Sequence, residues 1–404
     1  MSATASATRF REDATVISLV GFAHGTSHFF HFLIPALSPW MMSEFGLTFT
    51  EVGAAMGVFY VVSTAGQASA GFVVDRVGGF RVLLAGVALL SLAALVLAAA
   101  GSYEAVVAAA AVAGLGNSVF HPADFSLINR RVSEERLGPA FSVHGLSGSL
   151  GWASAPALLV GVAGAWGWRS ASVVAACVGA AAFAFLLLNH GTLRHSAAEA
   201  AQRRELGKGG VFAFLRSPLV WMCFVFFFFT VMAFGILQNF ATPAFQKSYG
   251  VSLALATTAL TAYLLGSATG TGVGGFFVRR AHEERLVGAS LALVAMGALL
   301  LASGSTPTWA LAPVMAVMGF AAGFSGPSRD MLIRRAATST YGAGAFGRIS
   351  GFVYSGIDAG LACAPLLFGP LMDAGRHGQT LAGVALLQGL AIATALTVGT
   401  RSRR

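Results

Sequence analysis

The chain has 404 residues, of which 56% are hydrophobic and 10% charged. Soluble globular domains carry about 25% charged residues, so too little charge is present here to cover a water-facing surface, and a soluble protein is excluded. The excess of 25 Lys and Arg over 16 Asp and Glu, a net charge of +9, implies basic cytoplasmic loops in a membrane protein, with no need of a nucleic-acid partner.

In chain order, the polar residues 1–15 form a cytoplasmic tail. The apolar run behind them is too long for a signal peptide and lacks a small-residue cleavage site. Crossing a bilayer takes about 20 apolar residues. Charge and Pro/Gly punctuation divide the chain into twelve such runs, roughly 16–40, 50–74, 81–101, 104–128, 137–164, 168–190, 217–245, 253–278, 285–303, 307–333, 345–372 and 379–400. The expected fold is therefore an all-α membrane protein of twelve transmembrane helices in two six-helix bundles. An N-terminal bundle over 16–190 and a C-terminal one over 217–400 flank a cytoplasmic linker, 191–216, and residues 401–404 form a short tail. Of the 25 Lys and Arg, 21 fall on one side; Arg169, Lys247 and Arg376 fall on the other, and Arg329 lies inside a span. That asymmetry predicts both termini in the cytoplasm of a cell membrane, most simply a bacterial inner membrane. Cys177, Cys223 and Cys363 sit singly in apolar runs, which indicates neither disulfides nor a zinc site.

The halves repeat. His31–Ala36 aligns with Asn239–Ala244, Gly71–Arg76 with Gly275–Arg280, Pro122 and Ile128 with Pro327 and Ile333, and Gly151–Pro156 with Gly360–Pro365. The matches occur in order with nearly constant offset, and a parallel six-plus-six repeat is a transporter architecture. The loop after span two reads Gly71-Phe-Val-Val-Asp75-Arg76-Val-Gly78-Gly79-Phe-Arg81. It resembles the signature loop of the major facilitator superfamily, Gly-x-x-x-Asp-Arg-x-Gly-Arg-Arg, with Gly79 in place of the first closing basic residue and Arg81 one position beyond the second. The resemblance implies a cytoplasmic gate in which Gly71 lets span two approach a helix of the other half, Gly78 makes the turn, and Asp75 faces a helix N-terminus. Phe120-His121-Pro122 and the Gly-rich span five ending in Ala155-Pro156 resemble the fosmidomycin-resistance branch of efflux proteins, which has Gly-Pro at the last step. Gly145, Gly148, Gly151 and Pro156 are similar in part to the antiporter motif of that span.

Ionisable side chains at membrane depth are costly and are functional candidates by default. His24, His28 and His31 fall on one face of span one, where they could serve protons or substrate, or pack between helices. With no carboxylate or thiolate beside them in sequence, a metal site is not expected. Asp358 is the acid deepest in lipid; an ionised carboxylate is costly there, and a carboxyl that trades its proton suits a proton-coupled carrier. Asp124, near the cytoplasmic end of span four, is expected to pair with Arg76 or Arg81 at the gate, a role the resemblance also implies. Arg329 is its repeat counterpart, and Arg329-Asp330 could alternatively offer a cation to an anionic substrate. His144 lies at a depth where it could meet His121. Asn117, Gln238, Asn239, Gln67 and Tyr263 could bind substrate or join helices. With no Walker-type loop, no cofactor is expected. The reading is a monomeric secondary transporter, its partners a small-molecule substrate, protons and the lipid bilayer. It moves a small organic solute by alternating access, proton-coupled, with efflux (an antiporter) ahead of uptake of a small organic acid by symport. A transport-dead sensor or a membrane enzyme is the remaining alternative.

Overall fold

A computed structural model describes residues 3–193, 213–274, 283–329 and 346–401. The described residues are helical throughout, without strands. The helices are α1 (Ala3–Phe30), α2 (Leu33–Phe45), α3 (Phe49–Val77), α4 (Gly79–Ala98), α5 (Tyr103–Asn117), α6 (Phe120–Arg131), α7 (Leu137–Trp166), α8 (Trp168–Leu188) and the short α9 (His190–Leu193). After the linker come α10 (Pro218–Tyr249), α11 (Leu253–Gly274), α12 (Glu283–Ala302), α13 (Leu311–Phe324), α14 (Phe346–Asp373) and α15 (His377–Arg401).

Ten spans among the described residues are long and apolar enough to cross a membrane, and they correspond to the expected third to twelfth runs. The first two runs carry several polar groups each. The second half of α1 contains His24, Thr26, Ser27 and His28, and α3 contains Ser63, Thr64, Gln67 and Ser69. Ten of the twelve expected runs are thus matched among the described residues. The first helix also begins at Ala3, so residues expected to form a tail are helical from there onward.

Proline sets two breaks that matter for the site. A proline nitrogen cannot donate to the carbonyl four residues back, and its ring crowds that turn. Pro35 opens span one at His31–Phe32, where backbone N–H groups donate three residues back instead, His31 to His28 and Phe32 to Phe29. Pro122 likewise opens span four at Ser118–Val119, between α5 and α6.

The described residues form two compact units, 1–37 with 61–209, and 38–60 with 210–404. In the first, Asp13 anchors the start of span one. Its carboxylate accepts from Arg136 Nη1 at 2.6 Å and from Ser133 N at 3.2 Å. Burial pushes the Asp13 carboxyl up, but the hydrogen bonds from Ser133 and Arg136 outweigh it and hold the group below its ordinary value. A lowered carboxyl contributes stability that is full above the ordinary aspartate range and is lost as pH falls through the lowered value. Asp13→Asn is therefore expected to cost about 2 kcal/mol at neutral pH, read as a fall in thermal midpoint in detergent, with the difference from wild type shrinking in strong acid.

In the second unit, α11 and α13 interlock through glycine. Gly266, Gly270 and Gly274 lie over the carbonyls of Ala316, Phe320 and Phe324, and Gly319 and Gly323 over those of Tyr263 and Ser267. Such contact leaves no room for a Cβ, and in lipid, where apolar side chains gain nothing by leaving solvent, it is the main source of helix association. Asp373, at the end of α14, accepts from the backbone N–H of Phe49 at 2.7 Å and of Thr50 at 3.0 Å, and from the Thr50 hydroxyl. These bonds satisfy the free N–H groups at the start of α3.

Candidate functional site

The polar centre of the first unit is built where α7 crosses α1. A Cβ on Gly25 would lie 2.9 Å from the Ser147 carbonyl, and one on Gly151 would overlap the carbonyl of Gly25. One on Gly148 would fall 2.7 Å from the His28 ring and 2.9 Å from His24 Nε2. Small residues at four-residue spacing on both helices thus bring the imidazoles of α1 directly against α7.

His24, His28, His121, Asp124 and His144 gather there. Asp124 is fully buried, with 0% exposure. Its Oδ2 lies 3.1 Å from His144 Nε2, a hydrogen bond, and 3.2 Å from His24 Nδ1, a close approach without hydrogen-bond alignment. The His24 and His144 rings stack with centroids 3.6 Å apart, and His28 stacks on Trp152 at 4.3 Å. His24 stands 5.4 Å from His121, and His121 stands 6.4 Å from His144. His121 Nδ1 approaches Gln67 Oε1 at 3.2 Å. Three buried atoms of this cluster, His24 Nδ1, His28 Nδ1 and Asp124 Oδ1, have no hydrogen-bond partner among the described residues.

His31 plays a different part. Trp152 Nε1, which can only donate, gives its hydrogen to His31 Nδ1 at 3.2 Å. Nε2 of His31 must then carry the proton of the neutral ring, and it donates to Asn117 Oδ1 at 2.9 Å. Asn117 Nδ2 donates to Ser63 Oγ at 2.9 Å. The chain runs in one direction and joins the two proline-opened turns. Asn117→Ala strands groups on both sides of it, and the expected cost is about 1–3 kcal/mol, measured by thermal unfolding in detergent; Asn117→Asp, which keeps the acceptor, should lose less.

Two expectations change. Asp124 does not serve the loop arginines: it faces His24 and His144, while Arg76 and Arg81 are exposed. On α6, which follows the Pro122 break, Asp124 packs against α1 and α7. Asp124 thus supplies the carboxylate that span one lacks in sequence, so a metal-competent set exists where none was expected. His24, Asp124 and His144 place ligand atoms within 4.8 Å of one another, as do His24, His28 and His121. The pairing of His121 with His144 is realised as neighbouring rings.

Of the gate motif, Gly78 makes the turn between α3 and α4 with φ of +93°, a region that favours glycine. Gly71 is exposed, and a Cβ there would meet no described atom within 4 Å. The side chain of Asp75, all of Asp330, and the repeat match at Gly275–Arg280 lie outside the described residues. In the second unit, the Arg329 guanidinium lies over Phe227, 4.9 Å from the ring centre. Gln238 is buried against the Tyr60 hydroxyl at 3.1–3.2 Å. Asn239 donates to the Gly235 carbonyl at 2.8 Å. Asp358 is buried on α14 at 6% exposure. Sequence reasoning missed Trp152 and Tyr60. The available signal was a Trp in mid-span, whose indole N–H needs an acceptor once it leaves water.

A helical, multi-pass membrane protein with interlocked glycine seams and a buried ionisable centre defines the class. The family model described as Major Facilitator Superfamily matches residues 17–365, and the chain belongs to that superfamily. It is therefore a membrane transporter of small solutes. The Fosmidomycin resistance protein of Escherichia coli (strain K12) is 28% identical over 307 residues, covering 74% of this chain and 73% of that one. The uncharacterized MFS-type transporter YfnC of Bacillus subtilis (strain 168) is 28% identical over 141 residues, 35% of this chain and 34% of that one. Among solved structures, the nucleoside transporter NupG aligns with a TM-score of 0.74 at 14% identity, covering 96% of this chain and 100% of that one. A bacterial homolog of the human lysosomal transporter Spinster, in an inward-facing, occupied conformation, aligns with a TM-score of 0.72 at 16% identity, covering 96% and 95%. These two likenesses concern the fold.

Proposed function

We propose that the chain exports a small organic solute across the bacterial inner membrane as a monomer with cytoplasmic termini, by alternating access of its two six-span halves and in exchange for protons. Export is supported by the relative named for fosmidomycin resistance, whose alignment covers 74% of the chain. Proton coupling rests on Asp358, a carboxyl buried in α14 inside a candidate membrane span. The loop Gly71–Arg81, with its turn at Gly78, closes the cytoplasmic side in this reading. His28 in the first unit, and Gln238 and Asn239 in the second, are the polar residues proposed for substrate in this reading, each unit taken by itself.

The test uses fosmidomycin as probe, in a susceptible bacterium deleted for its own resistance transporter. Expression of the chain should raise the inhibitory concentration of the drug, and inverted membrane vesicles should take up labelled drug only when energised. Unchanged susceptibility together with no energised uptake would count against the drug as substrate. Unchanged uptake across a panel of amphipathic and anionic compounds would count against export itself. Arg329, held over Phe227, keeps uptake of an organic anion as the second reading; accumulation of a carboxylic acid by right-side-out cells would favour it.

A further inference from the structure

We infer that His24, Asp124 and His144 form a site for a divalent transition-metal ion, Zn²⁺ or a cation of the same ligand preference. This goes beyond the export reading and does not depend on it. Three observations carry it. The first is the donor set: two imidazoles and a carboxylate, the nitrogen- and oxygen-rich mixture that Zn²⁺ accepts with a fourth position left open. The second is spacing. His24 Nδ1 and His144 Nε2 lie 3.2 and 3.1 Å from Asp124 Oδ2, close to the roughly 3.3 Å edge of a tetrahedron with metal bonds of about 2.0–2.1 Å.

The third observation is what the protein leaves unsatisfied. Buried polar groups nearly always have partners, and an exception calls for a cause. Here His24 Nδ1 and Asp124 Oδ1 both lack one among the described residues, and all three residues are buried. An imidazole nitrogen 3.2 Å from a carboxylate oxygen without an aligned hydrogen bond is spaced as two ligands of one ion would be. The three donors come from three helices, α1, α6 and α7, so an ion would tie α6 to the glycine-packed pair α1 and α7. His31 is excluded as a ligand because Trp152 and Asn117 occupy both its nitrogens. His28 and His121 offer a second set through His24. The set containing Asp124 is preferred because a carboxylate offsets part of the cation's charge in a buried site.

The experiment uses full-length protein purified in detergent without a polyhistidine tag, stripped with chelator and dialysed. Zn²⁺ alone is titrated by calorimetry, bound metal is counted by mass spectrometry, and Co²⁺ is added as a spectroscopic substitute. The expected result is one ion per chain, a higher thermal midpoint with Zn²⁺, and visible Co²⁺ bands of tetrahedral nitrogen–oxygen type. Asp124→Asn and His144→Gln should each weaken binding by at least about tenfold, while His28→Gln and His121→Gln retain it. Size-exclusion profiles and helical circular dichroism establish that each variant is folded. Absence of stoichiometric binding to the wild-type chain overturns the proposal, whatever the variants do. Binding that survives Asp124→Asn and His144→Gln but fails in His28→Gln or His121→Gln also overturns it.

Discussion

Replacing Asp358 with Asn will uncouple transport from the proton gradient while leaving the protein folded. The two side chains have the same shape, so packing in α14 is preserved, but an amide cannot take up and release a proton. Asp358 is buried within a span, where an acid is hard to explain by helix packing alone. If the carboxyl is the shared station for proton and substrate, stimulation of flux by a pH gradient should fall by about tenfold or more, in line with ordinary coupling energies. Exchange of labelled for unlabelled substrate across proteoliposomes at equal pH should persist, since that half of the cycle needs no net proton movement. Gradient stimulation equal to wild type in the variant would remove Asp358 from the mechanism.

The second large effect concerns the seam that holds the polar centre together. Gly151→Val puts branched atoms where the Gly25 carbonyl already stands, and no side-chain rotation relieves a clash with backbone. Overpacking of this kind costs about 3 kcal/mol, and α7 must shift away from α1, opening the stack of His24 on His144. The expected result is a much lower thermal midpoint in detergent, loss of a monodisperse elution peak, and loss of any function assigned to the cluster. Gly145→Ala on the same helix is the control. Gly145 is exposed with no described atom within 4 Å of a Cβ, so this change should be neutral or slightly stabilising. A Gly151→Val protein that melts like wild type would show that the α1–α7 contact does not hold the unit.

The cluster itself shows where reading the chain stops. His24, His28 and His31 are recognisable as one helical face from spacing alone, because the helix period is set by local geometry. Their separate roles are not. His31 becomes a neutral link because of Trp152, 121 residues away, and Asn117, 86 residues away. His24 acquires Asp124 from span four, 100 residues away, through the packing of α6 on α1. An arginine partner for Asp124 was a reasonable expectation from depth and charge. Depth along a span says how far a side chain lies from water, but not which neighbour it faces.

The amino-acid sequence alone determined that this is a multi-pass helical membrane protein with a repeated architecture and the marks of the major facilitator superfamily. Those properties follow from composition, apolar run length, charge asymmetry and a local loop motif, each legible without knowing a single long-range contact. Tertiary structure alone decided which buried polar groups meet. Proline breaks interrupt the helices near Pro35 and Pro122, and glycine seams bring helix backbones into direct contact. Both effects are geometric sums over many residues, so hydrogen-bond partners, and with them the capacity for metal or proton chemistry, emerge only when the helices are packed.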